Sequence, residues 1–250
     1  MDDARSIMIA REEEREQHLV REFLGEGPGF FVEVGAFHPT NGSQSWHLEK
    51  RGWDGVLIEP QPDRAEILRC ERRATVVEAA CSARRDAGRK LLLHVAGGMS
   101  SLDRTRMVPG ANALSTVAVE VRTLDEILSN ALAPGSIDLL SVDVEGHEIE
   151  ALEGLDLAHW SPRLILLEDP VSNLSKYRYM RSRGYVLVRQ TGLNAWYVRQ
   201  RDVARFRWSD RAEVLRKYYL ALPIRVLRNF SRKLRQPIKD WMRSTRRAVR

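Results

Sequence analysis

Asp143, Glu145 and His147 alternate through SVDVEGHEIEAL (141–152), which continues the apolar run IDLL without a break. A second apolar run, PRLILLED (162–169), ends in Glu168 and Asp169. Apolar runs without polar alternation are the pattern of parallel strands buried on both faces. Ligands of an open α/β sheet sit beyond the carboxyl ends of such strands. Neighbouring strands run about 5 Å apart, so Asp143, Glu168 and Asp169 are expected to converge there. Such an oxygen set suits a hard cation such as Mg²⁺, which gathers substrate hydroxyls and lowers the pKa of one. Alternatively, Asp143 holds an amino group of a ligand. His147, one turn further on, is a candidate proton acceptor, and Glu145 is grouped with these two as candidate catalytic residues. A plainer reading stands beside these: a strand exit, a solvated acidic helix, and Asp169 capping the segment that Pro170 begins.

A second constellation lies earlier. FFVEV (30–34) ends in Glu33-Val34-Gly35-Ala36, and GVLIEP (55–60) carries Glu59, 26 residues after Glu33. Gly35 permits a tight turn and a close approach of ligand to backbone, and an acid at the end of a second strand accepts hydrogen bonds from both ribose hydroxyls. The loop GAFHPTNG lacks the G-x-G-x-x-G spacing that holds a pyrophosphate, and Glu33 would repel one. A ribose-bearing cationic cofactor without phosphate, S-adenosylmethionine, therefore fits better than NAD.

The elements that must position these groups are legible from the same patterns. Residues 4–24 read as a charged helix with Ile7, Leu19, Phe23 and Leu24 as docking points, broken by GEGPG. Strands at 30–34 and 55–60 flank a helix over 43–52 with Ser43 as N-cap, and Pro62 opens the next helix. TVVEAA (75–80) is expected as a third strand, KLLLHVA as another, and the stretch from GGMSS to PGAN as a loop. A strand from 117 leads into a helix starting near Thr123. Further strands cover SIDLLSVDV and 162–169, then a helix ended by Gly184, then a hairpin of YVLVRQ and NAWYVRQ. Alternating strands and helices give an α/β fold with a mostly parallel sheet, and the domain is expected to end near residue 200.

FFVEVGAFHPTNGSQSWHLEKRGWDGVLIEPQP, with TLDEIL and IDLLSVDVEGHEIEALEG, resembles the FkbM-type methyltransferases over about residues 28–200. The resemblance implies a class I methyltransferase (Rossmann-like) sheet of seven strands with the last antiparallel. It also implies S-adenosylmethionine-dependent O-methylation of a hydroxyl, often on a sugar or glycoconjugate. Glu33, Gly35, Ala36 and Phe37 then belong to the cofactor loop, Glu59 to the ribose site, and Cys81 to the strand end beside adenine. Asp143, Glu145, Gly146 and Glu148 match DVEGxE.

Charge divides the chain. Residues 201–250 hold 16 Lys and Arg against 4 Asp and Glu, so the remaining 200 residues are net acidic although the whole carries +6. Three regions follow: a helical extension over 1–27, the methyltransferase-like domain over 28–200, and a basic tail over 201–250. In the tail Ile224, Leu227, Phe230, Leu234, Ile238 and Trp241 form a helical stripe, with Pro237 as a kink. It suits the domain surface, a second subunit or an anionic membrane; nucleic acid ranks last, because aromatic residues are few. Cys70 and Cys81 form no CxxC pair, and no window is apolar enough to span a bilayer. The chain is thus expected to be cytoplasmic, with the tail at the inner membrane face. Two other readings stay open: an NAD-binding oxidoreductase, and a non-catalytic nucleoside-binding or scaffold protein.

Overall fold

The computed structural model describes residues 2–103, 105, 113–171 and 173–221. The strands, in chain order, are β1 (Phe30–Val34), β2 (Asp54–Ile58), β3 (Thr75–Val77), β4 (Ala80–Cys81), β5 (Lys90–Val95), β6 (Ser115–Arg122), β7 (Leu139–Val142), β8 (Leu164–Glu168), β9 (Tyr185–Thr191) and β10 (Asn194–Arg199). Seven of them form one sheet in the order β3-β2-β1-β7-β8-β10-β9. The β3, β2, β1, β7 and β8 neighbours are parallel, and β10 runs antiparallel to both β8 and β9. This is the Rossmann-like methyltransferase order, with the antiparallel strand inserted next to the edge.

Alternation explains why the central strands read as unbroken apolar runs. Val32 and Val34, Val56 and Ile58, and Ile165 and Leu167 enter one core; Phe31, Leu57, Leu164 and Leu166 enter the other. Each face is covered by helices. Leu124, Ile127 and Leu128 of the helix Leu124–Asn130 and Met180 of Ser175–Ser182 cover the first. Val20, Phe23 and Leu24 of the helix Asp2–Leu24, with Leu48 and Leu68, cover the second. The N-terminal helix is therefore docked through its last turns, as Leu19, Phe23 and Leu24 suggested; the Ile7 side chain lies outside the described atoms.

Three expectations are revised. The strand expected over 75–80 breaks at Glu78: β3 stays in the main sheet, whereas β4 pairs with β6, which pairs with β5 in a small separate sheet. The helix expected from Ser43 begins at Trp46; Ser43 Oγ donates to Glu33 and still accepts from Trp46 N at 3.1 Å. The body does not end near residue 200. Trp208–Val214 is helical, Phe206 is buried in the second core, and Val214 and Tyr218 are buried in the first. Thr123 does cap its helix, its Oγ1 accepting from Glu126 N at 3.1 Å. The apolar stripe from Ile224 to Trp241 lies outside the described residues. Among those described, no helix is long and apolar enough to cross a membrane.

Candidate active site

Strand register assembles the site. Val34 pairs with Ile58 on one side and Val142 on the other. The residues one step further, Gly35, Glu59 and Asp143, therefore stand level at the carboxyl edge. Val142 pairs with Leu167, so Asp143 is also level with Glu168. Gly35 has φ +83°, and a Cβ placed there would lie 1.8 Å from the Asp143 carbonyl oxygen. Conformation and space both demand glycine.

A cavity with about 540 Å³ of empty space opens over this edge, lined among others by Gly35, Phe37, Glu59, Cys81, Asp143 and Glu145. Glu59 is 2% exposed, and its oxygens accept from Phe37 N at 2.9 Å and Gln61 N at 2.8 Å. Burial outweighs these bonds and pushes its pKa up to about 7. Each oxygen retains a lone pair for a second donor. Cys81 is buried, which raises its thiol pKa, so it serves as a neutral apolar wall. His147 lines the same cavity; its Nε2 lies 3.0 Å from Ser82 Oγ and its Nδ1 3.9 Å from Glu150 Oε2. That contact puts His147 at the Cys81–Ser82 wall.

Asp143, Glu145 and Glu168 offer one oxygen each within 4.8 Å of one another. Asp143 presents open surface to the cleft yet is otherwise ringed by protein. Burial, then the Glu145 and Glu148 charges, raises its pKa. Burial and the facing Asp143 raise that of Glu168. The two carboxyls hydrogen-bond to each other and therefore titrate as a pair. Glu145, in a left-handed conformation at φ +52°, rises to about 7 through burial and the charges of Glu168 and Glu148.

Asp169 does not join this group. Alternation places it with Ile165 and Leu167 on the other face, where Oδ1 accepts from Val171 N at 2.8 Å and Oδ2 from the Tyr218 hydroxyl at 2.5 Å. Glu145 takes the place expected for it. Glu148 is fully buried, accepting from Gly146 N at 2.8 Å and pairing with Lys176 Nζ at 2.7 Å. Lys176 also donates to the Glu168 carbonyl oxygen. It is the cation of the acid cluster, and sequence reasoning passed over it because one lysine in a charged helix carries no signal.

Glu33 is buried and turned into the loop. It accepts from Ser43 Oγ at 2.9 Å, Gln44 N at 2.8 Å and the Ser45 hydroxyl. Arg72 donates to Ser43 Oγ at 3.2 Å, Ser45 Oγ at 2.9 Å, Pro39 O at 3.0 Å and Glu49 Oε2 at 3.0 Å. The pair Glu33 and Arg72 thus pins the loop that carries Gly35, Ala36 and Phe37. Phe37 (φ +37°) sits against Arg64, 4.5 Å from ring centroid to Cζ, and faces Gly98. Gly97, Gly98, Ser100 and Leu102, from the stretch expected as a loop, form the roof of the cavity, and Ser101 Oγ donates to the Glu145 carbonyl at 2.8 Å.

A second cavity with about 600 Å³ of empty space shares Gly35, Phe37, Gly98 and Asp143 with the first and extends to Glu33, Ala36, His38, Gln44 and Asn194. Asp143 stands at the junction.

Residues 33–187 match the family model described as "Methyltransferase FkbM domain". Among solved structures, the chain is similar to the methyltransferase FkbM from Methylobacillus flagellatus KT, at 16% identity and a TM-score of 0.42. That similarity covers 68% of this chain and 43% of the other, so it spans less than half the length of that relative. No curated protein matches the chain. Since the family model takes in more than half of its residues, the chain belongs to the FkbM methyltransferase domain family.

Proposed function

We propose that the protein transfers a methyl group from S-adenosylmethionine to a hydroxyl of a polar acceptor such as a sugar or glycoconjugate. The observation that carries this reading is the first cavity, in which Gly35, Glu59, Cys81 and Asp143 line one space at the sheet edge. Glu59 can accept from both ribose hydroxyls, and Gly35 allows close approach. The cavity shows no phosphate-binding glycine pattern. The residues present fit S-adenosylmethionine better than NAD. When bound, it supplies a sulfonium methyl group for attack by oxygen.

Asp143 faces both cavities, which makes it the group able to receive the proton of an acceptor hydroxyl. Its coupling to Glu168 raises the affinity of the pair for that proton, and a base poised near neutral pH is the effective one. Glu145 adds negative charge beside the pair, and Lys176 limits the repulsion. His147, at the Cys81–Ser82 wall, orients that end of the cavity.

The same three carboxylates also fit a hard divalent cation such as Mg²⁺, held by Asp143, Glu145 and Glu168, whose chemistry would be to acidify a bound hydroxyl. Calorimetry with S-adenosylmethionine and NAD tests the cofactor: heat with NAD and none with S-adenosylmethionine overturns the proposal. Radiolabelled methyl incorporation with and without EDTA tests the cation. Unchanged turnover in EDTA assigns the three carboxylates to proton handling alone.

A further inference from the structure

The second cavity reaches Asn194, beyond the residues that the family match spans, and behind Asn194 stands Glu16, which also lies outside that match. Glu16, on the helix Asp2–Leu24, is 5% exposed. Four donors converge on its two oxygens: the Thr191 hydroxyl, Asn194 Nδ2 at 2.8 Å, the Trp196 indole N–H at 3.3 Å, and the side chain of Gln44. The Trp196 N–H also reaches Thr191 Oγ1 at 2.6 Å, which directs the threonine hydrogen to Glu16. Burial raises the Glu16 pKa and these donors oppose the rise. The Thr191 hydroxyl and the Asn194 amide thus reach one oxygen each, and Glu16 faces them as an acceptor.

A carboxylate only accepts. Asn194 and Gln44 must therefore both turn their NH₂ groups towards Glu16, which leaves their amide oxygens as what they offer elsewhere. Both residues line the cavity, and Gln44 Oε1 is buried without a hydrogen-bond partner among the described residues. Asp143 adds a third acceptor. His38 adds a donor: its Nδ1 accepts from Thr40 N at 3.1 Å and Asn41 N at 3.0 Å, so the ring hydrogen is on Nε2. Arg72, which would attract an anion, is turned away into the loop. A lining of several acceptors and a donor complements hydroxyls, which do both, and repels oxyanions.

We propose that Glu16 is a positioning residue that fixes the amides of Gln44 and Asn194 so that the second cavity receives the uncharged, hydroxyl-rich face of an acceptor and rejects anionic ones. This rests on the methyl-transfer reading, which makes Asp143 the border between cofactor and acceptor. It deepens that reading by naming the residue that sets acceptor polarity. Glu16→Gln, made together with Thr191→Val so that no hydroxyl can accept from the new amide, keeps the shape but leaves that amide to donate towards Asn194 or Gln44, so one of the two must reverse and present its N–H groups.

The test uses the full chain loaded with S-adenosylhomocysteine, probed by saturation-transfer NMR with methyl glucoside as the neutral polyol and glucose 6-phosphate as the anion. The unmodified protein should prefer the glucoside by about tenfold or more, the scale of discrimination that buried, preset hydrogen-bond partners supply. The double variant should bring the two probes to within about threefold, with unchanged affinity for S-adenosylhomocysteine. A merely structural role would lower both affinities together and leave their ratio alone. Asn194→Leu, which leaves Glu16 in place, should weaken the glucoside without strengthening the phosphate, and decides the matter should the double variant not fold. Equal binding of the two probes by the unmodified protein, no glucoside binding, or an unchanged ratio in a folded double variant overturns the proposal. Failure of S-adenosylhomocysteine to bind the unmodified protein refutes the cofactor reading instead. The probe preference is then read on the unloaded chain.

Discussion

The two cavities that meet at Asp143 are built on different principles. The first is made by consecutive strand ends in register: Gly35 beside Glu59 and Asp143, with Cys81 beyond. Its chemistry is carried by short motifs, each on one turn after one strand. The second is lined by the loop after β1 and the first residue of β10, among others, with Glu16 of the N-terminal helix bonded behind Asn194. Its polarity depends on groups up to 178 residues apart in the chain. On the proposed reading, a cofactor common to many enzymes would be met by local geometry at strand ends, and an acceptor particular to this one by segments that only tertiary packing unites. Changes at the shared wall should therefore damage both cavities, changes at Glu59 or Cys81 only the first, and changes in the flanking segments only the second.

The largest effect is expected at the shared wall. In Gly35→Ala the new Cβ would lie 1.8 Å from the Asp143 carbonyl, at a positive φ that alanine resists. β1 and β7 would have to part. The variant should lose more than about 4 kcal/mol of stability, in the range reserved for severe steric conflict, and should bind neither S-adenosylmethionine nor acceptor. Wild-type melting and calorimetry in this variant would mean that the wall is pliable and that the cavities are independent.

The same contrast explains what was legible beforehand. The apolar runs around β1, β2, β7 and β8 declared a buried parallel sheet, and TLDEIL declared a capped helix, because both signals are local. The level placement of Gly35, Glu59 and Asp143 followed from strand ends alone. Asp169 and Glu145 were the instructive pair. Both are acids next to a strand end, but Glu145 reaches the cleft through a left-handed turn and Asp169 points to the other face. Alternation counted from Glu168 distinguishes Asp169 from its neighbour, but it does not reveal the turn at Glu145. Glu16, Arg72 and Lys176 gave no sign in sequence, since a buried charge differs from a solvated one only in its partners, here 8 to 180 residues away. Phe206 and Tyr218 were masked by the basic composition around them.

Truncation separates body from tail. Ending the chain after Arg201 removes the buried side chains of Phe206, Val214 and Tyr218, and with them the hydrogen bond to Asp169. At roughly 1.5–3 kcal/mol per buried side chain, that shortened chain should unfold or melt far below the full one. Ending it after Ala221 keeps these contacts, so its thermal melting and S-adenosylmethionine binding should match the full chain. It should lose only the cosedimentation with anionic liposomes at low salt that the basic tail is expected to give, at about 1 kcal/mol per basic residue near the surface. A stable chain ending at Arg201 would return the boundary to residue 200.

A smaller change is confined to the first cavity. Glu59→Gln replaces an acceptor-only group that faces the Phe37 and Gln61 amides with one that must set a donor against one of them. S-adenosylmethionine binding should weaken by about 1–3 kcal/mol, the cost of a lost charged hydrogen bond, while methyl glucoside binding stays as it was. Loss of both together would show that Glu59 holds the Phe37 divider and does not act on the cofactor alone.

The smallest effect is one of pH, to which stability and cofactor affinity should respond with opposite signs. Glu59 and Glu145 have pKa values raised to about 7, and those of Asp143 and Glu168 are also raised. A raised carboxyl binds its proton more tightly folded than unfolded, so the unliganded protein should gain stability as pH falls through these values, by at most about 1.4 kcal/mol per pH unit for each group. His47 acts against this at lower pH: burial depresses its pKa to about 3, so folding is opposed by its protonation once pH drops below the unfolded value near 6.5. The clean window is therefore pH 8 down to 6.5, read by urea denaturation in EDTA. Stability should rise across it, and Glu145→Gln should flatten the rise. Cofactor affinity should move the other way if Glu59 holds the ribose as proposed, since it would accept both hydroxyls best when ionised and is increasingly protonated as pH falls below about 7. A parallel change in stability and affinity across this window would mean that one set of carboxyls governs both, and that the strand-end cavity is not chemically separable from the acid cluster beside it.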